Sequence, residues 1–329
     1  MNQTALIIGC GSIGSRHAKN LSTLGVDLLV YDVDVEAQEH LVQETGAKKA
    51  ASVDDGVAED PDMVFVCTPS NHHIQPAKKA ARADCDLFVE KPLSNTAQDV
   101  NELVKIIAQK ELISMIGCNY RFHPAIQKVK ELLEENVIGD LVSARIETGS
   151  YLPDWHPWED YREMYSAKEG VGGVLLDAIH GINYARWFFG DEAVVTAMLS
   201  SESSLDMEPE DTASLITRYR DGTQCEFHFD YIQRTPIKSG QVTGEKGSIR
   251  WGGEHKTVVR SEPESDEWIL EEDYGDWEIN KMYVDMTQHF IDCVQNKEET
   301  ISPIQDGWKD LQLALAAKKS SSEGRHIEL

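Results

Sequence analysis

The sequence has few basic residues, no long apolar run and no paired cysteines. Its 329 residues include 31 Lys+Arg against 57 Asp+Glu, which gives a formal net charge of −26 at pH 7. This charge repels phosphate backbones and anionic lipid, so we expect neither nucleic acid nor a membrane as partner. No apolar run reaches the roughly 18 residues that cross a bilayer, and the N-terminus lacks the features of a signal peptide. A cytoplasmic location is therefore expected.

Cysteine and histidine chemistry is equally sparse. The six cysteines are scattered, without a CxxC pair, which predicts reduced and buried thiols. No His, Cys or Asp cluster has the spacing of metal ligands, so we expect a mechanism without a metal. The acidic segment 262–278 contains no basic residue. Because it lacks the ligand order of a calcium loop, we interpret it as a solvated loop of open role.

The first 121 residues alternate between short apolar runs and helix-like stretches. Runs without polar alternation, typical of strands buried on both faces, occupy residues 5–8, 28–31, 63–67, 87–89 and 113–116. Apolar residues at helical spacing lie between them, at 14–24, 71–83 and 96–110. This alternation predicts a doubly wound parallel sheet with helices on both faces, forming a domain over residues 1–121.

The pattern changes in residues 122–329. Strand-like runs occur at 141–146, 194–199, 214–219, 224–231 and 248–251, and helical stretches at 172–189, 283–294 and 306–322. Asp221-Gly222 is a hairpin signal between two of these runs. The second domain is therefore predicted to be α+β, with an open, mostly antiparallel mixed sheet.

A glycine-rich motif directly follows the first predicted strand and opens a helix. In Gly9-Cys10-Gly11-Ser12-Ile13-Gly14, the first glycine permits a tight turn, the second a close approach to a pyrophosphate, and the third close helix packing. Asp32 ends the second strand, 18 residues after Gly14, where a carboxylate accepts hydrogen bonds from ribose hydroxyls. We expect Gly9, Gly11, Ser12, Ile13, Gly14 and Asp32 to bind a dinucleotide.

The residues after Asp32 decide between the two nicotinamide cofactors. Residues 33–36 contain no arginine or lysine to neutralise a 2′-phosphate, so NAD is favoured over NADP. Arg16 lies in the first turn of the helix, near the pyrophosphate or the substrate; the alternative is a surface arginine.

Further motifs stand at the ends of later strands, where an open parallel sheet places its ligands. They are Cys67-Thr68-Pro69-Ser70-Asn71-His72, Glu90-Lys91-Pro92 and Asn119-Tyr120-Arg121-Phe122. Together with the glycine motif and the later Gly-Gly-Val-Leu-Leu-Asp-Ala-Ile-His string ending at His180, they resemble the glucose-fructose oxidoreductase, inositol dehydrogenase and MocA family (Gfo/Idh/MocA). The resemblance covers essentially the whole chain.

This resemblance implies a Rossmann domain, a C-terminal domain on an open mixed sheet, and NAD(P)-dependent chemistry on sugars or cyclitols. Lys91 corresponds to the family's active-site lysine near the nicotinamide, and Pro92 to a proline that is often cis. A cation there stabilises negative charge developing on the substrate oxygen. The residues expected to contact the cofactor at these strand ends are Thr68, Pro69, His72, Glu90 and Lys91.

In the family, an Asp and a His on one helix complete the site. Asp177 and His180 occupy these positions, three residues apart where the commoner pattern has four, and either spacing keeps them on one helical face. We expect His180 to be the general acid/base and Asp177 to bind or orient substrate. Asn183 stands where the family often has an aspartate, and its amide can hold a sugar hydroxyl.

Residues 151–162 combine aromatic rings, a histidine and charges in one loop after a strand. Such loops bind sugars, and the candidate substrate-binding residues are Tyr151, Trp155, His156 and Tyr161. An oligomer contact or a lid is the alternative. Arg121 is a further candidate, which either pairs with a substrate anion or ties the two domains together.

The leading hypothesis is an enzyme that moves a hydride between NAD and a hydroxyl or keto carbon of a sugar, cyclitol or nucleotide-sugar. One alternative is an NADP-dependent keto-sugar reductase, and another is a catalytically silent NAD(P)-binding sensor or scaffold. Lys91 and His180 favour the enzyme, because a pure binder needs neither. The family resemblance also implies a homodimer or homotetramer formed through the C-terminal sheet.

Overall fold

In the computed structural model, which describes residues 3–253, 256–265 and 267–329, all five N-terminal apolar runs are strands of one sheet. The strands are β1 (Thr4–Ile8), β2 (Asp27–Tyr31), β3 (Lys48–Lys49), β4 (Met63–Val66), β5 (Asp86–Val89) and β6 (Ser114–Ile116). They pair in parallel, in the order β3-β2-β1-β4-β5-β6. From β1, the chain adds β2 and β3 on one side and β4, β5 and β6 on the other. The strand order thus reverses between β1 and β4, and parallel sheets bind ligands at such a position.

Helices follow most of these strands. Numbered along the whole chain, they are α1 (Ser12–Thr23), α2 (Val35–Thr45), α3 (Val53–Ala58), α4 (Ile74–Arg82), α5 (Val100–Lys110), α6 (Pro124–Glu134), α7 (Val174–Asp177), α8 (Ile179–Phe189), α9 (Asn280–Asn296) and α10 (Ile304–Glu323). Helix α2 begins where Asp34 accepts hydrogen bonds from the backbone of the first turn. Helix α5 begins four residues later than predicted, because Asp99 before it takes a left-handed φ of 60°.

The chain divides into two units, and the division differs from the predicted one. The first unit is Met1–Asn119 with Ile279–Leu311, and the second is Tyr120–Glu278 with Gln312–Leu329. The sequence-based boundary after residue 121 assigned all of 279–311 to the second domain. The structure packs this segment with the first unit, where Phe290 of α9 lies 5.5 and 5.7 Å from the rings of Phe65 and Phe88.

The second unit is built on a nine-stranded mixed sheet. Its strands are β7 (Leu141–Tyr151), β8 (Glu192–Ser200), β9 (Thr212–Tyr219), β10 (Gln224–Asp230), β11 (Ile232–Gly244), β12 (Gly247–Gly252), β13 (Thr257–Ser261), β14 (Trp268–Asp273) and β15 (Ile327–Glu328). The order is β14-β13-β12-β11-β7-β10-β9-β8-β15, and the pairing is antiparallel except between β7 and β10. The predicted hairpin at Asp221-Gly222 joins β9 to β10.

Two local predictions need correction, and one strand was missed. The acidic segment 262–278 is not only a loop, since Trp268–Asp273 forms β14 and pairs with β13; Asp266 lies outside the described residues. The helix predicted over 172–189 is broken at Ala178, whose ψ of 13° ends α7 and precedes α8. Strand β11 was not predicted, because it contains Pro236 and an irregular register.

Two features bear on the class of protein. None of the helices in these ranges is both long and apolar enough to cross a membrane. The part of the chain that the structure describes also holds no group of three or more His, Cys, Asp or Glu side chains suited to a metal ion. All six cysteines are buried free thiols, as predicted.

Candidate active site

The glycine motif forms a tight turn between β1 and α1. Gly9 has a φ of +101°, and a side chain there would meet the backbone of Cys67 at 2.7 Å. A Cβ at Gly14 would lie 1.8 Å from the carbonyl oxygen of Gly9, so only glycine lets α1 approach this closely. Gly11 precedes α1, and no atom lies within 4 Å of where its Cβ would be. The open N-terminus of α1 fits a pyrophosphate.

Asp32 connects the end of β2 to this turn. Its Oδ2 accepts a hydrogen bond from the Cys10 backbone at 2.5 Å, and its Oδ1 accepts one from the Asp34 backbone at 2.8 Å. Each carboxylate oxygen keeps a lone pair for a ribose hydroxyl. Burial, together with Asp32 and Asp34, raises the pKa of the Cys10 thiol to about 12, so the thiol stays neutral.

The segment after β4 offers a buried hydroxyl to the cofactor. Thr68 Oγ1 is buried and has no hydrogen-bond partner within the described ranges, so it is free to bind a ligand. The side chain of His72 is exposed, whereas that of its neighbour His73 is buried. The two ring nitrogens of His73 lie 2.6 Å from the Thr68 carbonyl oxygen and 2.9 Å from that of Pro92. His73, predicted with His72 to lie near the cofactor at a helix N-terminus, therefore links the two loops.

Glu90 follows β5 and is held by a histidine that the sequence analysis missed. His17 Nε2 lies 2.7 Å from Glu90 Oε1, and both side chains are buried. Glu90 Oε2 accepts a hydrogen bond from the backbone of Lys91 at 3.1 Å. A Cβ at Gly117 would lie 2.8 Å from this carboxylate, so the glycine makes room for it. The only sequence signal for His17 was a polar residue on the apolar face of α1.

The Lys91-Pro92 peptide bond is cis. The resemblance to the family implied this linkage for Pro92. Together the pair follows β5 at the carboxyl edge of the parallel sheet, on the same edge as the glycine turn. This is the edge where ligands of such a sheet bind.

Asp177 lies at the end of α7 and is buried in a set of hydroxyl groups. Tyr165 and Ser166 donate hydrogen bonds to its carboxylate at 2.7 and 2.6 Å, and Tyr231 donates a further, short one. Burial and the Asp177 charge raise the pKa of Tyr231 well above its ordinary value, so this phenol remains a donor. The break at Ala178 separates Asp177 from His180. The prediction that both lie on one helical face is therefore wrong, because Asp177 ends α7 and His180 lies in the first turn of α8.

His180, in the first turn of α8, lies among aromatic side chains of the second unit. Its ring centroid is 5.0 Å from that of Tyr120. The Tyr120 hydroxyl accepts a hydrogen bond from Lys238 Nζ at 2.5 Å. His123 stacks on Tyr120, and burial together with the Lys238 charge lowers the pKa of His123 to about 4. His123 is therefore neutral at pH 7. Tyr120 lies beside His180 and Lys238 contacts Tyr120, and the sequence analysis assigned a role to neither of them.

Arg121 and Asn183 have a different environment from the one predicted. Both side chains are buried, at 2% and 1% exposure, and Arg121 Nε donates a hydrogen bond to Asn183 Oδ1 at 2.8 Å. The Arg121 guanidinium also lies over the ring of Trp187. The two predicted substrate-binding side chains are thus hydrogen-bonded to each other, and their contact with a substrate stays a prediction.

The aromatic loop after β7 places four predicted residues in separate contacts. The ring of Tyr151 lies beneath the Arg234 guanidinium at 3.5 Å. Trp155 donates a hydrogen bond to Ser150 Oγ at 2.8 Å and packs edge-on against Tyr231. His156 lies 2.6 Å from Glu159, and the Tyr161 hydroxyl accepts a hydrogen bond from the Asp206 backbone. Trp155 therefore packs directly against Tyr231, the phenol that donates a hydrogen bond to Asp177.

A glycine turn at the switch point of a parallel sheet and an acidic residue after β2 are typical of a dinucleotide-binding domain. Residues 4–118 match the NAD-binding Rossmann fold of the Gfo/Idh/MocA oxidoreductase family, and residues 130–329 match its C-terminal alpha/beta domain. The chain belongs to this family. It is an oxidoreductase, and its cofactor is NAD, as the sequence analysis predicted.

Relatives match over nearly the whole chain. Myo-inositol 2-dehydrogenase of Thermotoga maritima is 29% identical over 345 residues, covering 98% of this chain and 97% of the relative. Inositol 2-dehydrogenase of Rhizobium meliloti is 26% identical over 339 residues, 98% of each chain. Two solved structures also share the fold of this chain.

Levoglucosan dehydrogenase in complex with NADH has a TM-score of 0.90 at 18% identity, covering 100% of this chain and 99% of that one. The WlbA dehydrogenase of Bordetella pertussis, in complex with NADH and UDP-GlcNAcA, has a TM-score of 0.84 at 23% identity, with the same coverage. These likenesses confirm the predicted fold class.

The pairing of His17 with Glu90 predicts a stability effect. His17→Phe keeps a ring in the core but removes the donor, which leaves a buried carboxylate short of a partner. We expect the free energy of unfolding to fall by about 3 kcal/mol in urea titrations at pH 7. His17→Gln, whose amide N–H can reach Glu90, should recover much of the loss. Equal stability of His17→Phe and the exposed control His40→Phe would contradict this role.

Proposed function

We propose that this NAD-dependent oxidoreductase acts on a hydroxyl or keto carbon of a sugar, cyclitol or nucleotide-sugar. The observation that carries the proposal is the pair of candidate acid/base and electrostatic groups, His180 and Lys91, on a chain whose relatives are inositol dehydrogenases. A hydroxyl carbon can lose a hydride only if its oxygen loses a proton. A histidine and a lysine supply the groups for this step.

The residues of the first unit fit the cofactor. The open N-terminus of α1 at Gly11 would hold the pyrophosphate, and the Asp32 carboxylate would accept hydrogen bonds from the adenosine ribose. The unpartnered hydroxyl of Thr68 and the nearby Pro69 would line the nicotinamide half. When bound, NAD supplies the hydride acceptor or donor.

The chain's own chemistry is proton transfer and charge stabilisation. In the oxidation direction, the His180 imidazole takes the proton of the substrate hydroxyl. The Lys91 ammonium of the first unit is proposed to stabilise developing negative charge and to orient the nicotinamide. Glu90 orients Lys91 through its backbone N–H, and His17 holds Glu90 in turn. In the reduction direction, the protonated His180 returns the proton to the substrate oxygen.

Asp177 is proposed to be a positioning residue. Its carboxylate accepts hydrogen bonds from Tyr165, Ser166 and Tyr231, which fix its position. This anchors the end of α7, immediately before the turn that carries His180. The side chain therefore acts on the reaction through the placement of His180.

The aromatic loop is proposed to bind the substrate. Tyr151, Trp155, His156 and Tyr161 offer ring faces for the apolar side of a sugar and polar atoms for its hydroxyls. Trp155 is 36% exposed, while its hydrogen bond to Ser150 and its packing against the Tyr231 ring fix its orientation. A fixed ring loses little conformational freedom when a sugar binds.

We further propose that the protein works in the cytoplasm. Its six cysteines are all buried and unpaired by disulfides, as is usual in a reducing compartment.

A homo-oligomer formed through the sheet of the second unit is also proposed. Thr196 pairs with Ile216, Ile216 with Glu226 and Glu226 with Arg145, so these four side chains lie on one face. Ile216 is 57% exposed, and Met198, two residues from Thr196 on the same face, is 78% exposed. Apolar residues beside an ion pair suit contact with a second copy of the same surface.

The catalytic assignment predicts a selective loss of turnover. A panel of sugars, cyclitols and sugar nucleotides is followed by the absorbance of NADH. On any member that turns over, Lys91→Ala and His180→Ala should lower kcat by about 100-fold to 10,000-fold, while NADH affinity changes little. Lys48→Ala and His326→Ala, which lie outside the site, serve as controls. Normal turnover by either site variant would refute its assigned role.

The assignment of Asp32 predicts a preference for NADH. Fluorescence titration should show tighter binding of NADH than of NADPH, because the Asp32 carboxylate repels a 2′-phosphate. Asp32→Ala should weaken NADH binding by about tenfold, since a charged hydrogen bond to the ribose is lost. It should also reduce the ratio of the NADH affinity to the NADPH affinity, because the carboxylate that repels the 2′-phosphate is gone. Asp34→Ala, which removes the neighbouring cap of α2, is the control. Equal affinities of the wild type for both cofactors would contradict the assignment.

The proposed oligomer should dissociate when one charge is introduced into the sheet face of the second unit. Ile216→Glu should convert the wild-type oligomer into a monomer in size-exclusion chromatography with light scattering, because the interface would bury an unpaired carboxylate. Val33→Glu, on an 85% exposed residue of the first unit, should leave the mass unchanged. A monomeric wild type, or an unchanged Ile216→Glu oligomer, would exclude this face as the interface.

A further inference from the structure

Strand β11 carries two cations beside the aromatic residues of the second unit. Arg234 and Lys238 are both exposed, in a chain with 31 basic and 57 acidic residues. Within the described parts of the chain, neither forms an ion pair with a carboxylate; each lies instead against a tyrosine. Where acidic residues are so abundant, two cations placed on rings instead of carboxylates keep their charge available to a ligand.

Arg234 lies in an irregular part of the strand. Ile232 pairs with Tyr151 and Ile237 with Gly149. Between these two pairs, β11 advances by five residues while β7 advances by two. The extra residues leave the ladder, and the Arg234 guanidinium lies 3.5 Å above the centre of the Tyr151 ring. A guanidinium stacked in this way keeps its N–H donors at its edge, where they can reach an anion. Tyr151 begins the aromatic loop already proposed to bind substrate.

Lys238 is joined to His180 through one ring. Its ammonium donates a hydrogen bond to the Tyr120 hydroxyl and lies 5.0 Å from the centre of that ring. Tyr120 in turn lies 5.0 Å from the His180 ring. An ammonium has three N–H donors, and the bond to Tyr120 uses one of them. The remaining donors are available to a ligand at the ring that also contacts the proposed acid/base.

We propose that Lys238, assisted by Arg234, forms an anion-binding subsite beside His180, and that the substrate is a sugar bearing a carboxylate or a phosphate. This inference rests on the proposed function and specifies its substrate class. A neutral sugar leaves both cations without a counter-charge, whereas an anionic group gains charge-assisted hydrogen bonds from them. Hydrogen bonds to charged groups correspond to roughly 10-fold to 100-fold in affinity.

The test compares matched ligands on the NADH-loaded protein by titration calorimetry. Glucose, glucuronate and glucose 6-phosphate separate the neutral, carboxylate and phosphate forms of one ring, and UDP-glucose with UDP-glucuronate repeats the comparison on a nucleotide-sugar. We expect an anionic form to bind at least about tenfold more tightly than its neutral partner. The form that gains affinity identifies the charged group.

Variants at position 238 assign the preference to this lysine. Lys238→Met keeps the length of the side chain and should abolish the preference for the anion, whereas Lys238→Arg should retain it. Lys246→Met, on an exposed lysine elsewhere in the second unit, should behave as wild type. Thermal melting of each variant verifies that it is folded. A preference that survives in Lys238→Met, equal binding of neutral and anionic forms, or no binding of any anionic form overturns the subsite.

The outcomes also separate this subsite from the proposed function. Hydride transfer to a neutral sugar without any preference for its acid overturns the subsite and leaves the dehydrogenase assignment intact. Binding of an anionic sugar that depends on Lys238, without hydride transfer on any member of the panel, supports the subsite and refutes the dehydrogenase assignment for these sugars.

Discussion

The first unit depends on one close approach, between the start of α1 and the end of β1. A Cβ at Gly14 would collide with the carbonyl oxygen of Gly9, so the distance between helix and strand is set by the absence of a side chain. Two consequences follow from this one distance. The N-terminus of α1 points out of the turn at Gly11 with open space beside it, and His17, one turn further along the same helix, reaches Glu90. The glycine turn thus places both the cofactor-binding end of the helix and the support of Lys91.

Each unit uses a buried carboxylate to position a segment that carries chemistry. Burying a carboxylate is costly unless its oxygens are hydrogen-bonded. Glu90 meets this requirement with His17 and a backbone N–H, and Asp177 meets it with three hydroxyl groups. Since several donors converge on each carboxylate, its side chain has one stable orientation. Lys91 follows the first carboxylate directly and His180 follows the second by three residues, so each buried carboxylate holds the segment next to a residue proposed to be catalytic.

The features that the sequence predicted are those in which adjacent residues decide the structure. Buried runs gave the five strands and Asp221-Gly222 gave the hairpin, because period and turn chemistry are local. The environment of Arg121 was not predicted, since its partner Asn183 is distant in the chain. The place of 279–311 in the first unit depends on contacts of Phe290 with Phe65 and Phe88, which no local pattern encodes.

The net charge of −26 makes the local placement of donors decisive for an anionic ligand. At physiological ionic strength the Debye length is about 8 Å, so distant acidic residues contribute little at a given site while groups in direct contact act almost unscreened. The pyrophosphate position proposed at Gly11 relies on backbone N–H groups and the dipole of α1, which no surrounding carboxylate can neutralise by pairing. Lys238 achieves the same with a side chain, because its partner is the neutral hydroxyl of Tyr120. In an acidic protein, a cation held by a phenol keeps the charge that a salt bridge would cancel.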